Sequence, residues 1–365
     1  MSRKLRCLVV DDSALYRKIV REVLTSLPDV EVVGAVNDGV KALEQIEALK
    51  PDLVTLDLEM PRLDGIGVLR ELQKRQLGVT AIMVSAFTKH GAKATTEALG
   101  LGAFDFILKP TTDSLDESIK QLRHDLTPKL KACRLHRAAH PAPRRGAAPA
   151  RPQRPAPPAA RRPAPRRAPG IRPEVVAIGI STGGPQTLTK ILPKLPKNFP
   201  APIVIVQHMP PMFTKSLADD LDRRCQLRVM EATQGQPVRP GEILIAPGGR
   251  QMRIVKQANG SVIQLTDDPP ERNCKPAADF LFRSVAKSFG PRALGVVLTG
   301  MGDDGTEGAR LMKAAGAPIF TQDEATCVVY GMPKSIVDNG LADEVLPLER
   351  VHDHLIAAAA GRVLV

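Results

Sequence analysis

The chain has 365 residues, 43% apolar and 25% charged, enough for two ordinary domains each with its own core. Its five cysteines (Cys7, Cys133, Cys225, Cys274, Cys327) are scattered and odd in number, with no Cys-x-x-Cys pair. That argues against a disulfide framework or a structural zinc site and points to a reducing, cytoplasmic setting. The net charge of +12 would suggest a nucleic-acid binder, but residues 134–173 hold eleven arginines and no Lys, Asp or Glu, so the remainder is close to neutral.

The opening MSRKLRCLVVDD has basic residues before an apolar run, but two aspartates end that run too soon for a signal-peptide core. No stretch approaches the roughly 20 apolar residues of a membrane span, so no membrane insertion is expected. Residues 1–125 then alternate apolar runs, CLVV (7–10), EVVGAV (31–36), LVTLDL (53–58), TAIMVSA (80–86) and AFDFILK (103–109), with segments of helical period. Strands alternating with helices predict a flavodoxin-like (βα)5 domain with a parallel sheet. Residues 126–173 read as a linker, Pro/Ala/Arg-rich from 134 onward, extended by its prolines and its like charges. Residues 174–365 alternate again, with VVAIGI, PIVIVQH, EILIAP, GVVLTG and PIFTQ as strands. They predict a second, mainly parallel doubly wound α/β domain, with QLRVMEA and GSVIQLT as additional strands at an antiparallel edge.

In an open parallel sheet, functional groups gather beyond the carboxyl ends of the strands. Asp11 and Asp12 follow the first apolar run, Asp57 ends the third, Ser85 the fourth and Lys109 the fifth. Three carboxylates crowded together need a divalent cation and the lysine to balance them, and Mg2+ suits carboxylates plus water and phosphate oxygens. An aspartate beside Mg2+ can accept a phosphoryl group, with Lys109 and Ser85 contacting its oxygens. VVDDS, LDLEMPRLDG, VSAFT and FILKP, in this order, resemble the receiver domain of bacterial response regulators. The resemblance implies phosphorylation of Asp57, with Mg2+ held by Asp12, Asp57 and the Glu59 carbonyl and supported by Asp11. It also implies that Ser85 and Phe106 act as switch residues.

In the second domain, Ser181 ends an apolar run and is followed by Gly183, Gly184 and Pro185, a turn leading into a helix start. Such a serine becomes a nucleophile only with a base and oxyanion donors. Of seven histidines, His208 alone ends a strand of this domain, and GMGDDG offers Asp303 or Asp304 as the orienting acid. The order Ser…His…Asp departs from the Ser…Asp/Glu…His of α/β-hydrolases, so the Gly-x-Ser-x-Gly match at 179–183 is not a lipase signal.

GISTGGP, VQHMPPMFTKSLADDL, ILIAPGGRQM, NCKPAADFLFRSVA, LTGMGDDGTEG and QDEATCVVYGMP together resemble the catalytic domain of the chemotaxis protein-glutamate methylesterases, the CheB family. That resemblance implies hydrolysis of glutamate γ-methyl esters on methylated chemoreceptors, releasing methanol, and deamidation of receptor glutamine, with no cofactor for the esterase reaction. It assigns Ser181 as nucleophile, His208 as base and then acid, and Asp304 as the orienting carboxylate, with Thr182 and Met301 near the oxyanion. A chemotaxis-type sensor histidine kinase is the implied phosphodonor. A DNA-binding response regulator and a general esterase fused to a receiver are the competing readings. The first has its basic charge only in the linker and lacks a helix-turn-helix signature.

Overall fold

The computed structural model describes residues 3–112, 114–139 and 172–362. The first domain contains β1 (Leu5–Val10), α1 (Ala14–Thr25), β2 (Val30–Val36), α2 (Gly39–Leu49), β3 (Leu53–Asp57), α3 (Gly65–Lys74), β4 (Thr80–Ser85), α4 (Lys89–Gly100), β5 (Asp105–Leu108) and α5 (Leu115–Ala139). Its five strands are parallel, in the order β2-β1-β3-β4-β5. The chain reverses direction across the sheet between β1 and β3, which opens a crevice at their carboxyl ends.

The helix α5 runs beyond the expected boundary at 125, so residues 126–139 are helix and not linker. The reason is an apolar stripe, Leu122, Leu126, Leu130 and Cys133, that recurs at helical spacing and is buried against the first domain. Lys129 and Arg137 pair with Asp105 (2.8 Å) and Asp52 (3.0 Å) on the sheet. The rest of the expected linker, residues 140–171, lies outside the described residues.

The second domain contains β6 (Val175–Ile180), α6 (Gly184–Ile191), β7 (Ile203–Gln207), α7 (Phe213–Asp222), β8 (Arg228–Glu231), β9 (Glu242–Ile245), β10 (Gln251–Gln257), β11 (Gly260–Thr266), α8 (Ala278–Phe289), β12 (Ala293–Val297), α9 (Thr306–Ala314), β13 (Ile319–Gln322), α10 (Met332–Asp338), β14 (Glu344–Leu346) and α11 (Leu348–Ala359). Seven of these strands form one parallel sheet, β14-β13-β12-β6-β7-β9-β8. Among the strands named above, the antiparallel pair is β10 with β11, a separate two-stranded ribbon, while β8 joins the edge of the large sheet in parallel. Every side chain of β6 is buried, as an unbroken apolar run in a central parallel strand requires. Its neighbours are β12 and β7, so the loops after β6, β7 and β12 converge on the second switch point.

The domains touch through α4, which packs on α6 and α7. Phe106 of β5 stacks on Phe213 of α7 with ring centroids 4.8 Å apart, and Phe87 lies on the same ring at 6.4 Å. Among the described residues no helix is long and apolar enough to cross a membrane.

Candidate active site

Ser181 follows β6 directly. Its backbone N–H donates to Thr299 O (3.0 Å), and its carbonyl accepts from Gly184 N (2.8 Å) and Gln207 Nε2 (3.0 Å). Gly183, at φ 79°, takes the left-handed turn that starts α6, and a Cβ there would lie 2.5 Å from Cβ of Val328. Gly300, after β12, lets that loop close on the serine, since a Cβ there would sit 2.8 Å from Ser181 Cβ. His208 follows β7, and its N–H is bonded to Ile180 O (3.1 Å), so the β6 and β7 ends are held side by side.

The two aspartates of GMGDDG part company. Asp303 is exposed and pairs with Arg272. Asp304 is only 2% exposed, and its Oδ2 lies 2.7 Å from His208 Nε2. The other contacts of Asp304 come from backbone: Ala278 N donates to Oδ2 (2.6 Å), and Asp279 N and Gly305 N donate to Oδ1 (both 2.9 Å). Ala278 and Asp279 begin α8, so the carboxylate sits at a helix N-terminus, where the helix dipole favours negative charge. Burial opposes the charge on Asp304, but His208 and these N–H groups outweigh it and hold its pKa below the ordinary value. Burial likewise opposes an imidazolium at His208, but the bonds to Asp304 and Cys274 outweigh that and raise its pKa.

A carboxylate can only accept, so Nε2 of a neutral His208 carries the hydrogen and Nδ1 carries the lone pair. Nδ1 faces Cys274 Sγ at 3.6 Å. Among the described residues no hydrogen bond joins Ser181 to His208, although both line one cavity of about 920 Å3 together with Thr182 and Met301.

At the first switch point, carboxylate oxygens of Asp11, Asp12 and Asp57 lie within 4.8 Å of one another. Lys109 Nζ reaches Asp57 Oδ2 (2.7 Å) and Asp11 Oδ2 (3.1 Å). Burial, and then the neighbouring Asp11 charge, push the Asp57 pKa up to about 6 against the pull of Lys109. The buried Ser85 hydroxyl accepts from Thr95 Oγ1 (2.8 Å). The carboxylate of Glu59 pairs with His90 Nδ1 (3.0 Å).

Comparison with known families matches residues 176–355 to the CheB methylesterases and residues 7–120 to the response regulator receiver domain. A protein of Desulfotalea psychrophila named protein-glutamate methylesterase/protein-glutamine glutaminase is 45% identical over 363 residues, covering 97% of this chain and 98% of its own. A Lawsonia intracellularis protein of the same name is 42% identical, covering 97% and 99%. The chain belongs to the CheB methylesterase family. The crystal structure of the Thermotoga maritima CheB methylesterase catalytic domain superposes with a TM-score of 0.50 at 46% identity, covering 51% of this chain and 98% of that domain.

In this CheB chain the receiver forms one wall of the Ser181 cavity, through Asp105 and Phe106 of β5 and residues of α5. Thr182, next to the serine, donates from Oγ1 to Asp105 Oδ2 at 2.7 Å, and both residues are buried. Gln186 of α6 donates to Ala103 O at 2.9 Å. Sequence reading brought Ser181, His208 and Asp304 to one site but missed Gln207, Cys274 and Asp105. Gln207 and Cys274 stood within the quoted motifs, next to His208 and to the Lys275-Pro276 pair. Nothing local marks Asp105, because its partner lies 77 residues away.

Proposed function

We propose that this chain hydrolyses glutamate γ-methyl esters on chemoreceptors, and deamidates receptor glutamine, under control of phosphorylation at Asp57. The observation that carries the reading is the bond between the buried Asp304 and His208, whose ring lines the same cavity as Ser181. Asp304 holds the imidazole with Nε2–H inward, which leaves Nδ1 as the proton acceptor. Ser181 Oγ attacks the ester carbonyl as His208 takes its proton. As the carbonyl re-forms, His208 returns that proton to the leaving methoxide oxygen, giving methanol, or in the glutamine case to the leaving amide nitrogen, which departs as ammonia. Water, deprotonated by the same ring, cleaves the acyl-enzyme and regenerates the serine. N–H groups at the start of α6 and around Met301 and Thr182 are the candidates for stabilising the oxyanion.

Regulation rests on the receiver wall. With Asp57 unmodified, the Thr182–Asp105 bond and the Phe106–Phe213 stack keep the receiver over the cavity. A phosphoryl group on Asp57 draws Lys109 and Ser85 to its oxygens, shifts β4 and β5, and weakens that cover. The cluster of Asp11, Asp12 and Asp57 is an all-oxygen donor set that fits Mg2+, and the Glu59 carbonyl is the proposed further donor. Bound there, Mg2+ would offset the charge of an incoming phosphate. A sensor kinase of the chemotaxis type is the proposed phosphodonor and a methylated receptor the substrate.

The test is methanol release from a methylated receptor fragment, with and without Mg2+ and a small-molecule phosphodonor. Ser181→Ala should abolish release in both conditions, and Asp57→Ala should keep the basal rate and lose the stimulation. Turnover in Ser181→Ala, or full stimulation in Asp57→Ala, overturns the respective half of the reading.

A further inference from the structure

Cys274 belongs to no step of the reaction above, yet its Sγ lies 3.6 Å from His208 Nδ1, the ring nitrogen that carries the lone pair. A thiolate and an imidazole nitrogen bound to one zinc ion lie at about 2.3 and 2.0–2.1 Å from the metal. At a tetrahedral angle those bonds set sulfur and nitrogen about 3.6 Å apart. The two donors therefore stand at the separation that a shared zinc ion sets. His208, Cys274 and Asp304 form a cluster of donor atoms within 4.8 Å, but both Asp304 oxygens are already engaged by three backbone N–H groups and by Nε2. Asp304 stands instead behind the ring, the carboxylate–histidine–metal arrangement that fixes the imidazole and raises its basicity toward a metal.

The surroundings admit a cation. Cys274 and His208 are half-buried and line the cavity, so water can fill the remaining coordination positions and an ion has a way in. The neighbouring cation, Arg272, is paired with Asp279 and Asp303, so its charge is compensated. Among the described residues, the other hydrogen bond of Cys274 Sγ is the one it donates to Arg272 O, at 3.5 Å.

We propose that Cys274 and His208 form an inhibitory site for a thiophilic divalent cation such as Zn2+, with Asp304 as the outer partner of the histidine. A metal on Nδ1 takes the electron pair that would accept the Ser181 proton, so binding stops the esterase without blocking the receiver. The metal site stands on the donor geometry alone, whereas the inhibition also rests on His208 acting as the base.

The experiment uses the full chain with excess Mg2+ and two readouts. Co2+ serves as a spectroscopic probe, because thiolate ligation gives a sulfur-to-cobalt charge-transfer band that an all-oxygen site lacks. One ion per chain with that band is expected in the wild type and in Cys225→Ser, and the band should vanish in both Cys274→Ala and Cys274→Ser. Chelator-buffered Zn2+ should inhibit methanol release. Relative to the variant's own metal-free rate, half-inhibition in Cys274→Ala should need about tenfold more Zn2+ or more. No band in the wild type, or a band that survives in Cys274→Ala, overturns the site. A Cys274-dependent band without inhibition upholds the site and overturns its inhibitory role.

Discussion

Replacing Asp304 by Asn tests the proposed chemistry most directly, because the carboxylate has no spare lone pair. Its two oxygens receive four N–H groups: His208 Nε2 and Ala278 on one side, Asp279 and Gly305 on the other. An asparagine must turn its NH2 toward one of these pairs. Facing Asp279 and Gly305, it sets donors against two fixed backbone donors. Facing His208, it still meets the Ala278 N–H and forces the ring to accept at Nε2, which moves the hydrogen to Nδ1 and removes the base. The stability cost of an unsatisfied buried group is about 1–3 kcal/mol. The loss in kcat from a misoriented tautomer is about 10⁴-fold, the effect measured for the corresponding change in serine proteases. Methanol release gives kcat, and thermal unfolding shows that the variant is folded. The pH profile supplies a second readout: the neutral ring is the active base, and Asp304 raises the His208 pKa. The wild-type rate should therefore climb with pH through a midpoint above that of an ordinary histidine, and residual activity in Asp304→Asn should climb at lower pH. A folded Asp304→Asn enzyme within tenfold of wild-type kcat, with an unmoved acid limb, would refute the reasoning.

Asp105→Ala removes the acceptor that Thr182 uses across the domain interface. A hydrogen bond to a charged acceptor contributes about 1.5 kcal/mol or more, so basal esterase activity should rise roughly tenfold, with correspondingly less gained from phosphodonor; an unchanged ratio of stimulated to basal rate counts against the latch. Leu130→Ala should destabilise the receiver by about 2–5 kcal/mol in urea unfolding, since Leu130 is buried in α5; a change near zero would mean that 126–139 behaves as linker in solution. Gln207→Leu loses the donor that holds the Ser181 carbonyl, and kcat should fall by about tenfold or more while the fold is retained; wild-type kcat would mean that the bond is incidental.

The sequence alone settled what local pattern can carry. Apolar runs of strand length alternating with helical periods gave two parallel α/β domains, and strand ends picked out Asp57, Lys109, Ser181 and His208, because a parallel sheet gathers its loops at one edge. Local pattern stops where a choice depends on partners distant in the chain. Asp303 and Asp304 are adjacent and chemically identical, and only the packing of α8 against the loop after β12 buries one and leaves the other on Arg272. The helix α5 passes residue 125 because Leu126, Leu130 and Cys133 find a sheet to cover, a fact about the sheet and not about those residues. Thr182 and Asp105 carry no mark of each other in sequence. They meet because α4 docks on α6 and α7, and burial of that surface brings a receiver carboxylate beside the proposed nucleophile.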